Sequence, residues 1–404
     1  MAIRPASPRI APPVAAAAHP GRRRSGRRTR PVAGLALSVA AALLLAACGG
    51  AEEPDEPADP AGTGEEDPGD SAEVEDDDAT DDAATEDPDG TDAAGEDEDA
   101  DAATTGPPVD PAEVGANELG VVPVLMYHQL REDGGSVYDM TPEEFRAELT
   151  WLFDNDYRPI TVAQLARGEI DVPAGTKPVV LTFDDSTSSQ AQLTADGELD
   201  PATSLGILVE VAAGYDDVEP RASVYVISGS LFGGTAAGEQ VLEVLHGHGM
   251  ELGNHTHTHP NLSSLSDAAV QDELATNVAV VTDLVPDAEV VTLSLPLGVA
   301  PANRALAERG SAAVGSYEHV GVLLVGANPS PSPFSASFDA LAIPRIRSNV
   351  DPDAELESTW WLEVIESGGT NAPYVSDGDP TTISFPAELA DRLDPAFAER
   401  ANPY

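Results

Sequence analysis

Beyond residue 119 short apolar runs alternate with amphipathic stripes, and this alternation restricts the fold more than any other feature. Runs at 121–127, 178–183, 222–227, 290–295 and 320–325 have the length and composition of buried strands. Between them lie helical patterns at 142–154, 201–213 and 239–246, and a stripe of Val270, Leu274, Val278, Val281 and Val285. Thr141 stands where it can cap the first helix. Strands that alternate with helices pair in parallel through right-handed crossovers, so an α/β fold is expected. Such folds build their sites on polar residues at the carboxyl ends of strands.

The preceding residues cannot join that fold. Residues 51–114 contain 27 acidic side chains and no Lys or Arg, and such a stretch cannot bury enough apolar surface to order itself. The domains expected are an export signal at 1–47, an extended acidic linker at 48–118, a catalytic body at 119–350 and a C-terminal extension at 351–404 that packs on or trails the body. The charge of −51 is not confined to that stretch, since residues 115–404 hold 44 acidic residues against 12 basic ones. A phosphate backbone would be repelled, so nucleic acid is excluded as a partner. One cysteine in 404 residues excludes an intrachain disulfide framework and a cysteine-rich zinc site.

That cysteine has another use. Six arginines between residues 22 and 30 precede an apolar run, 32–47, too short for a confident membrane span. The run closes on Leu45-Ala46-Ala47-Cys48-Gly49, which resembles the bacterial lipoprotein signal. The resemblance implies cleavage before Cys48 and lipidation of its thiol. The expected location is the cell surface, with the protein lipid-anchored to the outer face of the cytoplasmic membrane.

Two constellations carry chemistry. A strand ends in Phe183-Asp184-Asp185, where adjacent carboxylates point in different directions; a simple Asx turn would use the same residues. Further on, Gly253-Asn254-His255-Thr256-His257-Thr258-His259-Pro260 places three histidines within five residues. His255 and His259 can meet one ion if the backbone coils there, whereas in extended chain all three imidazoles project to one side. Imidazoles plus one carboxylate form a three-ligand set with an open position.

These motifs, in this order and strand context, resemble the polysaccharide deacetylase family, the NodB-homology domain, over residues 121–350. The resemblance implies a distorted, incomplete (β/α) barrel that removes N-acetyl groups from glycans with one divalent metal ion, zinc foremost. It implies Asp184 as general base and Asp185, His255 and His259 as metal ligands, and leaves His257 out. The family's Arg-x-Pro-Tyr-Gly motif falls near Ser294-Leu295-Pro296-Leu297-Gly298, without the arginine or the aromatic residue. The backbone N–H of Leu297 can still serve an oxyanion. Arg345 or Arg347 can replace the missing arginine beside the base. The late Leu-x-His that protonates the leaving amine is also absent. Val124-Leu125-Met126-Tyr127-His128 resembles the start of the subgroup acting on poly-N-acetylglucosamine, which implies His128 as the acid, with His319 as the competitor.

The expected activity is therefore N-deacetylation of a cell-surface or extracellular glycan by a monomer. The competing readings are a glycan binder on an impaired deacetylase fold and an O-acetyl esterase using the same groups.

Overall fold

The computed structural model describes residues 109–404, apart from Thr235, Pro352 and Asp353. The expected signal segment, Cys48 and most of the expected linker lie outside the described residues. Among the described residues no helix is long and apolar enough to cross a membrane.

The elements follow in the order α1 (Pro111–Val114), β1 (Val124–Tyr127), α2 (Pro142–Asp154), β2 (Tyr157–Ile160), α3 (Val162–Arg167), β3 (Lys177–Phe183), α4 (Ser204–Ala212), β4 (Ser223–Val226), α5 (Ala236–Gly247), β5 (Glu251–Asn254), α6 (Asp267–Leu284), β6 (Thr292–Ser294), α7 (Ala305–Glu308), β7 (Arg309–Ala312), β8 (Gly315–Glu318), β9 (Gly321–Leu323), β10 (Ile346–Arg347), α8 (Ser358–Glu366), β11 (Ile383–Phe385) and β12 (Ala401–Pro403). Local chemistry accounts for their ends. Thr141 and Glu144 form a reciprocal capping box on α2, with Pro142 in its first turn. That helix buries Phe145, Leu149, Leu152 and Phe153, one face at 3.6-residue spacing. Thr161 and Gln164 cap α3 in the same way, and Gly168 ends it in the left-handed conformation.

The main sheet runs β10-β1-β3-β4-β5-β6-β9, every pair parallel. One edge of β3 is shared: β2 pairs with its first half and β4 with its end. Residues 343–347 join the two margins of this sheet. Ile343 bridges to Leu323 of β9, while Ile346 and Arg347 pair with Leu125 and Met126 of β1. The result is the distorted, incomplete (β/α) barrel that the sequence implied, with a seam only a few residues long. All parallel strands present their carboxyl ends to one side.

The folded body extends beyond residues 119–350. Asp110 caps α1, and Ala116 and Glu118 are buried before residue 119. Residues 351–404 do not trail. Trp361 and Leu362 of α8 enter the core around β1, β3 and β4. Tyr374, Ile383 and Phe385 form a second core with Val122, Val124, Val180 and Phe334. A surface hairpin, β7–β8, is the one antiparallel strand pair among the named strands.

Candidate active site

The ends of β1, β3, β5 and β6 and the seam at 343–347 meet at one place. Asp184 follows directly on β3 and is 3 % exposed. Its carboxylate receives a two-pronged bond from Arg345, with Nη1 donating to Oδ1 at 2.8 Å and Nη2 to Oδ2 at 2.7 Å. Ser294 at the end of β6 donates its hydroxyl to the same Oδ2 at 3.0 Å. Burial pushes the Asp184 carboxyl up, but the Arg345 guanidinium and then His255 outweigh it and hold the group well below the ordinary range. Arg345 is itself fully buried, and its remaining donors reach the Leu324 carbonyl and the Thr182 hydroxyl.

Asp185 turns away from its neighbour because its backbone is left-handed, with φ at 80°. Its Oδ1 lies 3.4 Å from His255 Nε2 and 3.5 Å from His259 Nε2. In a tetrahedral site with bonds of about 2.0–2.1 Å, neighbouring ligand atoms stand about 3.3–3.4 Å apart. The spacing therefore fits a single divalent ion, and the three ligand atoms lie within 4.8 Å of one another. The Nδ1–H of His255 donates to the Ser294 carbonyl at 2.8 Å, which leaves the Nε2 lone pair free for a metal.

The loop that carries the histidines coils rather than extends. Thr256 and His259 both have positive φ, 66° and 59°. Asn254 accepts from the Thr256 amide at 2.8 Å, and the Thr256 hydroxyl accepts from the His259 amide at 2.9 Å. From α6, Asn277 donates to the carbonyls of Val226 and Thr256 and so ties β4 to this loop. His257 faces elsewhere and pairs with the Ser228 hydroxyl at 2.9 Å, outside the ligand set. Gly253 is required by close approach, since a Cβ there would lie 2.4 Å from the Tyr225 ring.

His128 continues from β1 into the site. Its Nδ1 is buried without a hydrogen-bond partner among the described residues. Burial pushes its imidazole below the ordinary range, partly offset by Asp184 and Asp185. Its ring centroid lies 5.1 Å from that of Tyr138. His319, the competitor, precedes β9 and is 2 % exposed. Its Nδ1–H donates to the Ala307 carbonyl at 2.7 Å, and its Nε2 faces the Asn254 amide at 3.3 Å. Burial pushes it down to about 4, so it stays neutral and acts as a support for Asn254.

Of the two arginines named for the base, the structure uses one. Arg347 does not reach Asp184. It pairs with Glu357 and lies 5.2 Å over the Tyr138 ring. Leu297 occupies a left-handed turn, φ 59°, with a side chain 63 % exposed, so its contribution to a site is through its backbone. The sequence reading did not single out Ser294 or Gln190. The Gln190 amide donates to the carbonyls of both His128 and Asp184 and so pins the ends of β1 and β3 together. Ser294 had a signal in its position before the altered Pro296 motif; Gln190 had none.

Two carboxylates, one of them paired with a buried arginine, and two imidazoles thus meet at the ends of parallel strands, and three of these groups form a donor set that could hold one metal ion. The family model described as polysaccharide deacetylase matches residues 210–312. Over that quarter of the chain, the protein is similar to the polysaccharide deacetylase family. It is 26 % identical over 156 residues to YxkH of Bacillus subtilis, which bears a provisional polysaccharide deacetylase name; the match covers 38 % of this chain and spans about half, 49 %, of that relative. Among solved structures it is similar to the Streptococcus pyogenes deacetylase PplD in complex with acetate. That similarity has 21 % identity and a TM-score of 0.44, over 58 % of this chain and 95 % of that one. It is also similar to BC0361, a polysaccharide deacetylase from Bacillus cereus, at 18 % identity and a TM-score of 0.45, over 60 % and 69 %.

Proposed function

We propose that this protein is a metal-dependent hydrolase that removes N-acetyl groups from a cell-surface or extracellular glycan. Support comes from one observation above all: Asp185, His255 and His259 converge while Asp184, clamped by Arg345, stands beside them. A divalent ion held there, zinc foremost, would supply Lewis acidity, lowering the pKa of water to ~7 and polarising an acetyl carbonyl. Asp184 is placed to take the proton of the attacking water. Arg345 fixes the carboxylate's orientation and keeps it ionised, at some cost in basicity. The Leu297 turn, which follows β6, offers a backbone donor to the developing oxyanion. His128 is the group that gives a proton to the departing amine. Its lowered pKa makes its protonated form a stronger acid and a scarcer one at neutral pH.

Lipidated Cys48 would hold the enzyme, as a monomer, at the outer face of the cytoplasmic membrane. The acidic segment after it would carry the barrel outward to its glycan. A Cys48→Ala variant that still sediments wholly with membranes would rule out that anchor. The function is tested by acetate release from a panel of N-acetylated and O-acetylated glycans, with zinc-loaded protein and with the His255→Ala variant. Release that needs His255 supports the reading. Release from O-acetylated glycans alone would make the protein an esterase, and none from any glycan would leave a binder.

A further inference from the structure

The barrel carries a cavity of about 550 Å³ on its flank at the entrance to β1, away from the carboxyl strand ends. It forms where no helix covers the passage from β9 to β10 and residues 324–342 run down the outside instead. Its lining includes Trp361, Asn328, Thr370, Asn371, Asp391 and Arg392. The volume falls within the ~300–1,000 Å³ of ordinary ligand pockets.

Arg392 is the unusual member. Of the twelve basic residues beyond residue 114, nine are paired with carboxylates. Arg400 donates to the Pro380 and Thr381 carbonyls and lies over the rings of Phe334 and Phe397, while Arg304 is simply exposed. Arg392 is half-buried at the cavity, and its guanidinium has no hydrogen bond or ion pair among the described residues. In so acidic a domain a guanidinium in that position should have found a carboxylate, since a partly desolvated charge without a partner is costly. Asn328, Thr370, Asn371 and Asp391 likewise spend no side-chain donor or acceptor on the protein among the described residues. Trp361, its indole N–H held by the Ala327 carbonyl at 2.8 Å, adds apolar surface to the wall.

We propose that this cavity is a second glycan-binding site, which holds two or three sugar units of the polymer while another stretch occupies the catalytic end. Two amides, a hydroxyl, a carboxylate and a guanidinium around one cavity suit the mixed donors and acceptors of sugar hydroxyls and N-acetyl groups. A free phosphate would satisfy Arg392 but would meet Asp391 unfavourably. The choice of a glycan rests on the deacetylase reading; the existence of a ligand site rests on the cavity and its unpaired groups.

The test is calorimetric titration of the full-length chain with the hexamer of N-acetylglucosamine, and with inorganic phosphate as a control. Wild type, the Asn371→Ala/Arg392→Ala double variant and His255→Ala are compared. The double variant should lose about tenfold in hexamer affinity, keep the wild-type melting temperature and still release acetate from the dimer at the wild-type rate. His255→Ala should retain the cavity's binding. Asn328→Ala, an exposed single change, serves if the double variant folds poorly and should weaken binding in the same direction. Hexamer binding unchanged in these variants, no hexamer binding by wild type, or phosphate binding in its place would overturn the proposal. If no glycan releases acetate but the hexamer still binds through Arg392, the deacetylase reading falls and this site stands.

Discussion

Arg345 and Arg347 are two residues apart in the chain and have opposite fates. Arg345 sits fully buried against Asp184, so its removal leaves an uncompensated charge in the barrel. Arg345→Ala is expected to cost about 3–5 kcal/mol in urea unfolding and to abolish acetate release, whereas Arg347→Ala leaves the Asp184 pair intact and retains turnover. Equal losses in both would refute the assignment. The two histidines separate similarly. His128→Ala should lose turnover with its melting temperature and zinc content unchanged. His319→Ala should lower the melting temperature, because it strands the Asn254 amide. A third residue-scale effect concerns Glu118, which is 2 % exposed beside Asp377. Burial, then the Asp377 charge, push its carboxyl up to about 8. Its folded pKa exceeds its unfolded one, so its contribution to stability is full below about 4.5 and is lost as pH rises through about 8. Glu118→Gln should therefore show a shallower fall in melting temperature between about pH 4.5 and 8; an unchanged slope would exclude Glu118 as the cause.

Among the elements, α2 was legible to the residue, since Thr141, Glu144 and Pro142 are all local signals. The strands β1, β3 and β4 were legible as apolar runs, and their expected ends lay within a few residues of the observed ones. Short elements were not. β2 is Tyr-Arg-Pro-Ile and β10 is two residues, neither with a period to read. β5 was missed as a strand because it reads Glu-Leu-Gly-Asn, with a single large apolar residue, although it carries the histidine loop. Its glycine has no local reason to be there: Tyr225 on the neighbouring strand excludes a side chain. Gly253→Ala should cost about 1–3 kcal/mol by overpacking and loosen zinc binding by displacing His255. Wild-type zinc affinity, measured by competition with a chelator, would contradict that coupling.

For the molecule as a whole, salt and an added divalent ion are the two conditions expected to shift stability. The described body carries most of an excess of 32 acidic over basic residues beyond residue 114. Raising salt from about 0.1 M to about 1 M shortens the screening length from ~10 Å to ~3 Å, so the melting temperature should rise. A fall would show that ion pairs outweigh the repulsion. Zinc at about 1,000 times its dissociation constant should add about 4 kcal/mol, seen as a rise in melting temperature that a chelator reverses and His255→Ala lacks. The sequence by itself determined the parallel α/β class and the cluster Asp184, Asp185, His255 and His259, because strand-end carboxylates and closely spaced histidines are local patterns. The tertiary structure alone decided which arginine holds Asp184 and how the barrel closes. Each depends on contacts between residues far apart in the chain: Arg345 reaches Asp184 only because residues 343–347 join β9 to β1.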